Sequence, residues 1–130
     1  MKGKFCGKTE DQNWIFGDLR HYKGDVWIVN DKTKQKVIPE SVGFYINMLD
    51  KNGKEIYTGN LAMITVTMPA NDTDYTIEQK CRVTWSDKMS AVVVDWGNEG
   101  DIPLFMLMQN KEDNATIEVV GWVFDECDPI

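Results

Sequence analysis

The chain holds one histidine, three cysteines and no long apolar run, and each scarcity removes a class of function. His21 stands between Arg20 and Tyr22 with no second His and no Cys nearby, so it builds neither a zinc site nor a nucleophile pair. A solvated side chain at a strand end is the expectation. Cys6, Cys81 and Cys127 form an odd set without C-x-x-C spacing, which argues against a zinc site and against a complete disulfide framework. Reduced thiols are expected instead. No segment approaches the roughly 18 to 20 apolar residues of a membrane span. The basic start, MKGKFCGKTEDQ, has no apolar stretch behind it and does not read as a secretory signal. A cytoplasmic protein without a membrane partner is expected, and the sequons at Asn71 and Asn114 would then be loops and nothing more.

What is present is a globular composition: 130 residues, 42% hydrophobic, with five Trp, four Tyr and five Phe. That length suits one domain that buries a core without a disulfide or metal staple. The net charge of −7 is unevenly spread: residues 1–60 carry ten Lys/Arg against eight Asp/Glu, whereas residues 61–130 carry four against thirteen. An acidic surface that aids solubility is one reading. Another is that a near-neutral or basic face of one copy meets an acidic face of the next, as a head-to-tail assembly requires. A phosphate-backbone binder normally shows a basic stripe, and the second half is the reverse.

Period-two alternation runs along most of the chain. Ile77, Gln79, Cys81, Val83 and Trp85 occupy one parity and Glu78, Lys80, Arg82 and Thr84 the other, the signature of a half-buried strand. Leu61–Met68 repeats it, with Ala62, Ile64, Val66 and Met68 on one face. Short apolar runs at 14–19, 26–29, 91–96, 103–108 and 117–124 extend the series, separated by turn residues. Many short strands between frequent turns predict an antiparallel barrel or sandwich with little helix. The one helical candidate is a turn at Pro39–Val42, with Pro at its first position. The spacing predicts a single domain over 1–130 whose internal boundary, near Thr58–Asn60, separates an N-terminal part (1–58) from a C-terminal part (59–130).

The stretch Asp50–Asn60, DKNGKEIYTGN, invites three readings. An EF-hand loop needs glycine at position 6, and from Asp50 it arrives at position 4. A P-loop needs G-x-x-x-x-G-K-[ST], but Gly53 and Gly59 are one residue too far apart and Asn60 follows where Lys should. A β-hairpin remains: Asn52-Gly53 suits a two-residue type I′ turn pairing Tyr45–Leu49 with Lys54–Thr58, and Gly59 would bend the chain into the next strand.

Four runs in order carry a resemblance: Lys4-Phe5-Cys6-Gly7-Lys8, Asn13-Trp14-Ile15-Phe16-Gly17-Asp18-Leu19, Val37-Ile38-Pro39-Glu40-Ser41-Val42-Gly43, and Asp50–Asn60. They resemble the YopX family of phage and prophage proteins, whose members read F-x-G-K, W-V-Y-G-x-L, V-I-P-E-T-V-G and D-K-N-G-K-E-I-Y-E-G-D. Trp14, Gly17, Ile38, Pro39, Asn52, Gly53, Tyr57 and Gly59 are the matching motif positions, and residues 81–85 and 117–125 extend the likeness over nearly the whole chain. Phe44–Leu49 replaces the family's Q-Y-T-G-L, and Thr58-Gly59-Asn60 replaces its E-G-D. The resemblance implies a mainly β fold of antiparallel hairpins whose C-terminal part is a small, partly open, SH3-like barrel. It implies a bacterial host and no established activity, so no catalytic residue is carried over.

Searched for chemistry, the sequence offers little. Carboxylates gather at Asp72/Asp74, Glu112/Asp113 and Asp125/Glu126/Asp128, but in loops and the tail, where acids are expected without catalysis. No catalytic residue, metal site or cofactor is assigned. Trp14, Trp85 and Trp122 read as core and Trp96 as the more exposed tryptophan. Arg20, Tyr22, Lys23, Trp27 and Lys32 are the candidates for nucleic-acid contact, because small barrels stack bases on aromatics beside cations. The expectation is a non-enzymatic binding module that associates with itself and with an unidentified phage or host protein. A nucleic-acid-binding barrel is the alternative.

Overall fold

The computed structural model describes residues 3–69, 73–96, 100–109 and 114–126. Six strands, β1 (Phe5–Lys8), β2 (Trp14–Tyr22), β3 (Asp25–Val29), β4 (Lys34–Val37), β5 (Gly43–Leu49) and β6 (Glu55–Tyr57), form one antiparallel sheet in the order β4-β3-β2-β1-β5-β6. Five more, β7 (Asn60–Met68), β8 (Tyr75–Ser86), β9 (Ala91–Asp95), β10 (Asp101–Pro103) and β11 (Asn114–Trp122), form a second in the order β10-β9-β8-β7-β11. The mainly β, antiparallel expectation holds. The C-terminal sheet does not close into a barrel: its end strands, β10 and β11, each pair with one neighbour.

The alternation seen in the sequence sets the faces of the C-terminal sheet. Ala62, Ile64 and Val66 on β7 lie opposite Val119, Ile117 and Ala115 on β11, and Ala62 faces Cys81 on β8. These side chains, with Val83, Val94, Leu104 and Ile56, make one contiguous apolar cluster. Trp96 packs against that cluster, whereas Trp85 is 45% exposed, so the two tryptophans exchange their expected roles. Parity puts Trp85 on the side of Cys81 and Val83, but its ring meets Phe44 of β5 edge-on, 6.1 Å away, instead of entering the cluster.

Two further expectations need correction. The run 103–108, read as a strand, is one only to Pro103; α1 (Leu104–Gln109) follows. Proline offers no N–H for another ladder rung, and Leu and Met are good helix formers. Leu104, Leu107 and Met108 then meet the core at i, i+3 and i+4. A second short helix, α2 (Val123–Glu126), ends the apolar run at 117–124. A 3-10 turn at Pro39–Ser41 fills the site of the expected helical turn.

The hairpin at Asp50–Asn60 is present, but its turn is not type I′. Gly53 has φ +80° while Asn52 keeps an ordinary negative φ. The Asp50 carboxylate organises the tip instead: Oδ1 accepts the backbone N–H groups of Asn52 (2.9 Å) and Lys54 (2.8 Å). Such an Asx arrangement needs only one left-handed residue. Where the family's acid would stand, Asn60 offers its side-chain oxygen to the Tyr57 N–H (2.7 Å), as an aspartate would. Its amide also donates to the Gly121 carbonyl (3.3 Å).

Candidate functional site

Besides the entry of Ile46, Met48 and Ile56 into the C-terminal core, two junctions between the sheets use motif residues. At the first, the β5–β6 tip lies along the free edge of β11: Lys51 donates its N–H to the Ile117 carbonyl (2.9 Å) and Val119 donates to Asp50 Oδ2 (2.9 Å). An open strand edge is thereby covered. Burial opposes the charge on Asp50, but N–H donation from Val119, Lys54 and Asn52 and the nearby Lys54 charge outweigh it and hold the carboxyl below its usual range.

At the second junction, Trp14 of β2 stacks on Trp122 of β11, centroids 3.9 Å apart and planes 14° from parallel. Phe16 and Tyr57 pack around Trp122 at 6.4 and 6.3 Å. Asp125 of α2 takes an ion pair from buried Lys8 and a hydrogen bond from Trp14 Nε1 (3.0 Å). Burial pushes the Asp125 carboxyl up, yet Lys8 and Trp14 pull it below its ordinary value. Pro39 and Ile38 belong to the same corner: Ile38 donates to the Lys8 carbonyl (2.8 Å), and Ser41 Oγ accepts the Lys8 N–H (2.8 Å). Gly59, at φ +94°, links the sheets by donating to Val83 and accepting from Val123.

Beside the second junction opens a cleft of about 640 Å³. Trp14, Val42, Val83, Val123 and Phe124 give it apolar walls, and Glu40, Arg82, Asp95 and Asp101 stand on it as charged groups. Asp95 accepts from the Arg82 backbone N–H (2.5 Å) and Nε (2.6 Å). Burial disfavours the Asp95 charge, but these contacts with Arg82 keep the carboxyl below its usual range. Glu40 and Asp101 are exposed and have no ion-pair partner among the described residues. Sequence reading did not select these four; Asp95, an acid between Val94 and Trp96, was the available signal.

The nucleic-acid candidates divide. Arg20 lies opposite Trp27, Trp27 opposite Lys36, and Tyr22 opposite Asp25, so all occupy one face of the β2–β3–β4 ribbon. The Lys34 ammonium sits 5.3 Å from the Trp27 ring and 5.7 Å from the Tyr22 ring, and Lys23 lies 5.3 Å from Tyr22. Tyr22 is 56% exposed. Trp27 is half-buried, and its indole N–H has no hydrogen-bond partner among the described residues. Lys32 lies apart in the β3–β4 turn, where its N–H is held by Asn30 Oδ1. Lys34 and Lys36, which the sequence reading passed over, complete the face; the alternation of Lys34-Gln35-Lys36-Val37 was their signal.

His21 is exposed on β2. Of the candidate carboxylates, Asp74 is exposed, Asp125 and Glu126 are paired to Lys8 and Lys80, and Asp72, Glu112, Asp113 and Asp128 lie outside the described residues. Among the described residues no three His, Cys, Asp or Glu side chains lie close enough to hold a metal ion, and no helix is long and apolar enough to cross a membrane.

The geometry defines a class: a two-sheet antiparallel β protein whose signature residues build the joints between its sheets. The model of the family described as YopX protein matches residues 4–128, and the chain belongs to that family. No curated protein and no solved structure matches it.

Proposed function

We propose that this chain is a phage- or prophage-type accessory protein of the bacterial cytoplasm that acts by binding rather than by catalysis and assembles with copies of itself. The observation that carries the reading is the cleft between the sheets, concave, apolar within and charged at its rim. Recognition sites combine apolar walls with a few placed polar groups. The charge contrast between residues 1–60 and 61–130 supplies the electrostatic asymmetry for self-contact. Light scattering at low and high salt tests it: an oligomer that loosens as salt rises is expected, and a monomer at both ends overturns it.

A second reading, nucleic-acid binding, is favoured by the face on which Arg20, Tyr22 and Trp27 gather with Lys34 and Lys36. Single-stranded DNA should then bind with an affinity that falls as salt rises, and Tyr22→Ala should weaken it about tenfold, since base stacking on an aromatic is worth about 1–3 kcal/mol. Absence of binding at low salt removes this reading.

A further inference from the structure

Two surfaces of this molecule differ in form and in the sign of their unanswered charges. One projects. The β2–β3 hairpin turns tightly through Lys23 (φ +48°) and Gly24 (φ +83°), leaving Tyr22 exposed at the end of β2 beside Arg20 and Lys23. The Lys23 and Lys34 ammonium groups lie over the Tyr22 ring, so cation and aromatic are presented together. Lys23 has no ion-pair partner among the described residues, and Arg20 reaches Asp18 only at 3.9 Å, with both side chains largely exposed.

The other surface is the cleft between the sheets, whose floor includes Val83, Val123 and Phe124. Three acids, Glu40, Asp95 and Asp101, and one cation, Arg82, stand on it. Arg82 is engaged with Asp95, which leaves Glu40 and Asp101 as the rim charges that no cation among the described residues answers. None of the hairpin-tip residues lines the cleft of its own chain. The cleft volume, about 640 Å³, falls in the range of roughly 300–1,000 Å³ that buries compact aromatic groups.

We propose that the β2–β3 hairpin tip of one copy seats in the inter-sheet cleft of a second copy, with Tyr22 on the apolar floor and Arg20 and Lys23 against Glu40 and Asp101. This rests on the self-assembly reading above and gives it an address. Because a tip meets a cleft, one patch contacts a different patch, and the contact closes either as a reciprocal pair or as a ring. Desolvating an exposed aromatic at the centre of a charged rim is the arrangement that concentrates binding energy in few residues.

Sedimentation velocity on the full chain provides the test. Lys23→Glu reverses one of the two tip cations that would meet the acidic rim and keeps the acidic cleft; Glu40→Lys with Asp101→Lys gives a basic tip and a basic cleft. All three positions are exposed, so melting curves should match the parent. Each variant alone should associate at least tenfold more weakly than the parent, and an equimolar mixture should recover association. Tyr22→Ala should also weaken it about tenfold. If the parent assembles but both charge variants assemble equally well, or mixing restores nothing, the tip-in-cleft contact is wrong while self-assembly stands. A parent chain that stays monomeric at every salt concentration overturns both.

Discussion

The two sheets are held by different means. In the C-terminal sheet, aliphatic side chains from β7, β8, β9 and β11 meet in one cluster, and a neighbour of similar volume could replace almost any of them. The N-terminal sheet buries few large side chains, Ile28 and Val37 among them, and relies instead on close backbone approach, fixed turns and polar caps. A Cβ on Gly17 would stand 2.3 Å from the Val29 carbonyl oxygen. One sheet therefore depends on the volume its residues fill, the other on their identity.

The largest expected break in this contrast is Gly17→Ala. The added carbon meets backbone that cannot rotate away, so urea denaturation should show a loss of about 3 kcal/mol. Ile64→Val, in the centre of the other sheet, should cost only about 1 kcal/mol. Equal losses would erase the distinction.

Next comes Asp50→Ala, which leaves the buried Val119 N–H without its acceptor and should cost about 2 kcal/mol. The pH dependence sharpens this. Because Asp50 has its carboxyl pKa lowered on folding, its stabilisation is complete above the ordinary carboxyl pKa and is lost as pH falls through the lower folded value. Asp50→Asn should flatten the acid side of a melting-temperature profile, and an unchanged slope would remove the linkage.

Trp14→Leu keeps only part of the apolar volume and removes both the stack on Trp122 and the indole hydrogen bond to Asp125, and the chain should lose about 1–2 kcal/mol with a change in tryptophan emission. The smallest effect concerns reactivity. Burial pushes the Cys6 thiol up to about 12 and the Cys81 thiol to about 11, so neither should react with iodoacetamide near neutral pH until the chain unfolds. Mass spectrometry of labelled native protein checks this directly.

The same contrast explains what the sequence made legible. Gly17, Pro39 and Gly53 announce themselves because few residues can do their work, and with them came the family and the hairpins. Alternation exposed the faces of β7 and β8, but aliphatic strands say little about where they stop. Hence α1 was hidden in an apolar run, although Leu104, Leu107 and Met108 already had helical spacing. The cleft was the least legible feature. Glu40, Arg82 and Asp101 are far apart in the chain, and only the folding of one sheet against the other brings them to the same rim. The turn at Asp50 differs from type I′ for a local reason, the Asp50 carboxylate accepting the Asn52 and Lys54 N–H groups, while its docking on β11, 69 residues downstream, has no local signal.

The contact between Lys8 and Asp125 spans 117 residues of sequence. A nascent chain leaving a ribosome at about 5–20 residues per second would hold β1 and β2 for on the order of ten seconds before α2 emerged to meet them. During that interval the Trp14 ring has no Trp122 to lie on, and the edge of β7 has no β11. Contacts of such long range slow folding, because loop closure must precede any gain from packing. Synthesis thus leaves the Lys8 and Trp14 side chains uncovered until Trp122 and Asp125 emerge, a window in which a chaperone or another nascent copy would find that face of β1 and β2 open.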